Sequence, residues 1–281
     1  MNSVPTIALT TPSGHHDIPQ LGFGVWQVDD DEATPAVAEA LRVGYRHIDS
    51  AKAYENESGV GRALAESDVP TSEVFVTTKL WNDDQGHDST LTAFDGSMKR
   101  LGLDVLDLYL IHWPVPKKDS FVDTWKAFQK LRDEGRVTAI GVCNFQVPHL
   151  QRLLDETGEL PSINQIELHP HLVQQELRDF HTKHGIVTEA WSPLASGGEV
   201  LKDRVIAGIA AAHGVTAAQA ILRWHLQLGN VVIPKSVTPS RIAENFDIFG
   251  FQLTADEVTS ITVLDRGFRT GPDPDEFNLG A

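Results

Sequence analysis

Asp49, Lys79 and His112 each close an apolar run, in Tyr45-Arg46-His47-Ile48-Asp49, Val74-Phe75-Val76-Thr77-Thr78-Lys79 and Val105-Leu106-Asp107-Leu108-Tyr109-Leu110-Ile111-His112. A strand of a parallel sheet is buried on both faces, so it tolerates charge at its rim rather than along its length. Tyr54 follows Asp49 by five residues, on the loop that the first run enters. A tyrosine with an ordinary pKa of about 10 is a poor acid at neutral pH, and an adjacent ammonium lowers that value. Lys79 is placed to act on Tyr54 in this way, with Asp49 as the counter-ion that keeps the lysine charged in a partly dry site. His112 can hydrogen-bond a substrate oxygen and fix its orientation. The set describes proton transfer to a carbonyl oxygen.

Such residues converge only if the strands that end on them lie side by side. After a hairpin-like pair around Ile7 and Ile18, the pattern predicts eight strands: Leu21–Gly24, His47–Asp49, Phe75–Lys79, Leu106–His112, Ala139–Cys143, Asn164–Glu167, Val187–Trp191 and Val231–Pro234. Helical periodicity between and after them predicts helices over Asp31–Val43, Glu57–Ala65, Thr90–Leu101, Phe121–Asp133, Gln175–His184, Lys202–His213, a stretch opening at Thr216, Pro239–Phe246 and Asp256–Leu264. Thr216 with Gln219, and Thr254 with Glu257, have capping-box spacing. Asp29-Asp30-Asp31-Glu32 reads as a helix N-terminus favoured by the macrodipole, and the tail from Gly267, rich in Gly, Pro and Asp, reads as loop. Eight alternating units without a Gly-x-Gly-x-x-Gly turn after the first strand predict an α/β fold of the closed (β/α)8, or TIM, barrel type. An N-terminal β-hairpin caps it and extra helices follow toward the C-terminus. Residues 1–281 form one domain in this reading, and the C-terminal rim of the strands is the active face.

At 281 residues and 41% hydrophobic content, the chain has enough apolar material for one such barrel. The net charge of −16 disfavours nucleic acid and anionic membranes, and no apolar run approaches the roughly 18 residues of a membrane helix. Lone Cys143 cannot form an internal disulfide, and no early stretch reads as a signal peptide, so a reducing cytoplasm is expected. Cys143 reads as a buried small residue, and Trp125, Phe128 and Trp224 as core. His169-Pro170-His171 has a His-x-His form without companion ligands, and His15-His16 reads as a solvated turn; no metal is expected at either.

Several longer segments are similar to those of the aldo-keto reductase superfamily, over nearly the whole chain: Gly44-Tyr45-Arg46-His47-Ile48-Asp49-Ser50-Ala51 with Tyr54-Glu55-Asn56-Glu57, Leu110-Ile111-His112-Trp113-Pro114, Asn164-Gln165-Ile166-Glu167-Leu168-His169-Pro170 and Ile233-Pro234-Lys235-Ser236. The chain most resembles the prokaryotic 2,5-diketo-D-gluconate reductase branch, which shares its short C-terminal tail. The resemblance implies a catalytic tetrad of Asp49, Tyr54, Lys79 and His112, with Tyr54 as general acid and NADPH as hydride donor. It implies that Asn144 and Gln165 pair with the nicotinamide carboxamide and that Trp191 stacks on its ring. Ser192, Pro193 and Leu194 would run along the pyrophosphate, Lys235, Ser236 and Arg241 would hold phosphate, and Glu244 and Asn245 would meet adenine. Val25, Trp26, Asp49, Cys143, Val237 and Thr238 complete the implied cofactor surroundings. Cys143 replaces the family's usual serine, and Thr238 stands where many relatives carry a larger polar or basic residue.

Trp26, Trp81 and Trp113, with Tyr54 and His112, are expected to wall the substrate pocket, which the short tail leaves open. Small aldehydes, α-dicarbonyls and keto-sugars are all compatible with it, and a monomer is implied. The alternative within the resemblance is a non-catalytic barrel that keeps the NADPH site as a redox-sensing or structural module.

Overall fold

The computed structural model describes residues 4–281. Ile7 and Ile18 do pair, in an antiparallel hairpin of β1 (Thr6–Thr11) and β2 (Gly14–Pro19). Eight further strands follow: β3 (Phe23–Gly24), β4 (His47–Asp49), β5 (Phe75–Leu80), β6 (Leu106–Ile111), β7 (Val137–Cys143), β8 (Ile163–Glu167), β9 (Val187–Trp191) and β10 (Val231–Val232). They pair in sequence order and all in parallel. A Leu21–Val232 bridge, with hydrogen bonds from Gly22 N to Val232 O and from Gly24 N to Pro234 O, joins the last strand to the first and closes the barrel. The predicted strands Leu21–Gly24 and Val231–Pro234 are thus shorter than expected, because two residues of each pair with β4 or β9 and the closure itself is a single bridge.

The helices are α1 (Asp30–Val43), α2 (Glu57–Glu66), α3 (His87–Leu101), α4 (Phe121–Asp133), α5 (Val147–Thr157), α6 (Gln175–His184), α7 (Arg204–His213), α8 (Ala217–Gln227), α9 (Pro239–Phe246) and α10 (Ala255–Thr262). α5 was not among the expected helices. Its signals are a reciprocal cap between Gln146 and His149, Pro148 in the first turn, and buried Leu150 and Leu153 on one face. α3 begins at His87 rather than Thr90, after the left-handed Gly86. Lys202 belongs to a short 3-10 turn, and α7 starts after Asp203, whose carboxylate accepts from Val205 N. The Thr216–Gln219 and Thr254–Glu257 boxes form as expected. Trp125, Phe128 and Trp224 are fully buried against the barrel.

Alternate strand residues point into the barrel, and those positions change character along it. Phe75, Leu108, Leu110, Ala139, Ile163 and Val231 form an apolar cluster with Leu9 and Ile18, so the hairpin plugs the N-terminal end. Toward the C-terminal end the interior carries Asp49, Thr77, Lys79, Gln165 and Glu189, all buried, while buried His47 lies in register with Phe75. Gly141 gives room at the transition: a Cβ there would lie 2.7 Å from Ile163 O and 2.7 Å from the Leu110 side chain. His16 is not merely a solvated turn residue, since it stacks on Phe75 at 5.2 Å and bonds Asp107 at 3.2 Å.

Among the described residues no single helix is long and apolar enough to cross a membrane.

Candidate active site

Asp49 ends β4 and Lys79 lies in β5, where parallel pairing sets Asp49 beside Thr77 and so leaves Lys79 one inward step higher. The Lys79 ammonium donates to Asp49 Oδ1 at 2.5 Å, to Ser50 O at 2.9 Å and to Tyr54 Oη at 3.4 Å. Lys79 has no solvent exposure. Three oxygens replace its lost hydration; burial alone would lower its pKa, but Asp49, with smaller help from Tyr54 and Cys143, more than offsets this and holds the ammonium above its ordinary value. Tyr54 sits on a 3-10 turn (Lys52–Tyr54) after β4, its ring 5.0 Å from Nζ.

The expected sign for Tyr54 is corrected by the structure. Burial raises the phenol above its ordinary value, and the lowering effect of Lys79 only partly offsets this. Tyr54 therefore keeps its proton at neutral pH.

His112 follows β6 with its ring edge-on to Tyr54 at 5.7 Å and to Trp81 at 5.3 Å. Burial, and then Lys79, push the imidazole well below its usual pKa, so it is neutral. Its Nδ1 is buried with no hydrogen-bond partner among the described residues. Four predicted residues from three successive strand ends thus meet at one point.

The wall beside them also assembles. Trp191, at the end of β9, donates from Nε1 to Asn144 Oδ1 at 2.8 Å, and Asn144 donates to His112 O at 3.0 Å. Asn144 and Ser192 both have positive φ, of 62° and 47°, a conformation that asparagine tolerates better than most residues. Gln165 donates to Asp49 Oδ2 at 2.8 Å and to Glu189 Oε2 at 3.0 Å, which leaves its Oε1 as an acceptor for an arriving group. Cys143 is fully buried and burial raises its thiol, as suits a packing residue.

Val25 is buried and bonds Asp49 O through its N–H, while Trp26 next to it is 48% exposed at the rim. Beyond β10, Lys235, Val237, Thr238 and Arg241 are exposed and Ser236 is buried. Glu244 is half-buried, its carboxylate accepting from Thr216, and Asn245 is buried. Pro193 is buried and Ser192 and Leu194 are half-buried on the loop after Trp191. The donor set fits an extended dinucleotide: a flat indole and a free amide oxygen near the tetrad, and two exposed cations at the other end.

Three contributors were missed in the sequence. Asn56, fully buried, donates to both Val25 O and Val28 O at 2.8 Å and accepts from Ser50, which ties the first two rim loops together. Glu189 lies mid-strand, where an apolar residue would be expected. Phe277 packs on Trp113 with ring centroids 4.4 Å apart, so the tail reaches the expected pocket wall. Thr270 and Gly271 bond the buried Glu167 carboxylate, and Asn82 bonds Leu279 O, so the tail is fastened at both sides of the mouth. A lone loop phenylalanine gives no signal of that kind in advance.

The model of the Aldo/keto reductase family matches residues 20–266. An aldo-keto reductase of Mycolicibacterium smegmatis is 60% identical over 264 residues, covering 94% of this chain and 96% of that protein. The methylglyoxal reductase DkgA of Escherichia coli is 56% identical over 261 residues, 92% of this chain and 94% of its own length. A crystal structure of a Gox0644 variant in complex with NADPH superposes with a TM-score of 0.91 at 50% identity, covering 97% of this chain and 99% of that one. The chain belongs to the aldo/keto reductase family and is an NADP-dependent oxidoreductase.

Proposed function

We propose that the protein reduces the carbonyl of small α-dicarbonyls and related aldehydes to alcohols, with Tyr54 as general acid. The observation that carries this is the Lys79 ammonium held between the Asp49 carboxylate and the Tyr54 hydroxyl, with neutral His112 edge-on beside them. Gln165, Trp191 and the cations beyond β10 would hold NADPH, which would supply the hydride.

The chain's own residues do the rest. His112 donates an N–H to the carbonyl oxygen and aims its carbon at the hydride donor. Tyr54 gives its proton to the same oxygen as negative charge develops there. The phenol is protonated beforehand because burial raises it, and the phenolate that results is stabilised by Lys79. Asp49 keeps that ammonium charged. Trp81, Trp113 and Phe277 exclude water from the transfer. A methylglyoxal reductase sharing 56% of its residues with this chain supports a small dicarbonyl substrate.

Loss of NADPH absorbance with methylglyoxal or phenylglyoxal tests the activity. No turnover across a broad carbonyl panel, despite tight NADPH binding, would instead support the non-catalytic module. Tyr54→Phe should lower kcat by about a thousandfold or more while leaving NADP+ affinity within about twofold. Retained turnover would remove Tyr54 from the acid's role.

A further inference from the structure

Glu189 is a carboxyl in the middle of a buried strand, and neither the tetrad nor the phosphate grip uses it. β8 and β9 pair with Gln165 directly beside Glu189, so the two side chains enter the barrel at one level. The Gln165 amide spends one N–H on Asp49 Oδ2 at 2.8 Å and the other on Glu189 Oε2 at 3.0 Å. An amide has two N–H donors, and both are committed.

We propose that Glu189 is a positioning residue for the cofactor, fixing the plane of the Gln165 amide so that its oxygen faces the incoming nicotinamide carboxamide. This rests on the reading of Gln165 as a carboxamide contact. Asp49 alone fixes one N–H and leaves the amide free to swing about that bond; the second bond fixes the plane. A flipped amide would set its oxygen against the Asp49 carboxylate. The carboxamide's N–H2 then meets an acceptor whose own donors are all occupied.

Glu189 suits the task because it need only accept. Burial, and then the Asp49 carboxylate, push its carboxyl above the usual range, so it presses less negative charge on the Asp49–Lys79 pair than an ordinary carboxylate would. His47 Nε2 lies 3.8 Å from Glu189 Oε1, but that ring is itself held neutral by burial and bonds Thr77 at 3.1 Å, so no cation draws the glutamate away. Oε1 has no hydrogen-bond partner among the described residues, which leaves the link to Gln165 as the bond of this side chain.

The test titrates NADP+ and its 3-acetylpyridine analogue, which keeps the carbonyl and lacks the amide N–H2, into the full-length protein by tryptophan fluorescence. Wild type should bind NADP+ about tenfold more tightly than the analogue, the worth of one well-formed hydrogen bond. Glu189→Leu should erase that preference by weakening NADP+ alone. Glu189→Gln, whose amide oxygen can accept the same N–H, should retain it. A preference kept in Glu189→Leu and lost in Gln165→Leu overturns the role of Glu189 while leaving that of Gln165 intact. No preference in wild type overturns both. Equal weakening of the two ligands in Glu189→Leu, or loss of the preference in the isosteric Glu189→Gln, also overturns the proposal, and the latter remains decisive if the leucine variant does not fold.

Discussion

Tyr54 and Lys79 are pulled in opposite directions by the same burial, and the contacts around them decide which proton is available. Lys79 has Asp49 at 2.5 Å and stays an ammonium; Tyr54 has that ammonium at 3.4 Å, which is too little to overcome desolvation of a phenolate. In the proposed mechanism, that phenol holds its proton until the substrate oxygen becomes basic enough to take it. The sequence made these residues legible because ionisable groups at strand ends are unusual in a buried sheet. It could not give the sign for Tyr54, which depends on how far water is excluded. Arg241 raises a separate question, since its exposed guanidinium at the start of α9 is suited to a phosphate monoester. Arg241→Ala should weaken NADPH about tenfold or more and NADH little, as charge-assisted bonds of this kind contribute about 1.5–3 kcal/mol. Equal losses in a fluorescence titration would assign the 2′-phosphate grip elsewhere.

At the scale of elements, β7 and β8 show how tightly the barrel interior is set. Gly141 points inward where Ile163 backbone and the Leu110 side chain leave no room for a methyl group. Backbone cannot move aside as a flexible side chain can, so Gly141→Ala should cost about 2 kcal/mol and lower Tm by about 4–8 °C. An unchanged melt would mean that β8 shifts freely. The strands and most helices were legible because their periods were strong and their caps complete, as at Thr216 and Thr254. α5 was not, although Gln146, Pro148 and the Leu150–Leu153 spacing mark it, because it follows the left-handed Asn144 with little loop between. Asn56 and Phe277 escaped for a different reason. Their effect comes from bonds and stacking with residues distant in sequence, which no local pattern encodes.

For the whole molecule, acid should be the weak direction. Burial holds His47, His181 and His225 near pKa 3, against an ordinary 6.5 once unfolded. The unfolded chain therefore takes up protons that the fold refuses, so stability is complete above pH 6.5 and falls as pH drops below it. Glu189, held above its ordinary 4.5, works the other way. His112 is held below its ordinary value in the same way, so the buried histidines outnumber the one glutamate and stability falls as pH drops from 6.5 to 4.5. A Tm that stays level from pH 7 to 5 in circular dichroism melts would contradict the buried neutral histidines. The barrel's closure carries a further consequence. β3 and β10 have two residues each, whereas β6 and β7 face each other over most of their lengths. The stave most easily sprung is thus the one flanked by Trp26 on one side and by Lys235 and Ser236 on the other. A dinucleotide laid across that joint would act as a hoop on a cask: the amides of Gly22, Gly24 and Val232 should exchange with deuterium fastest among the barrel strands without ligand, and slow most when NADP+ is added.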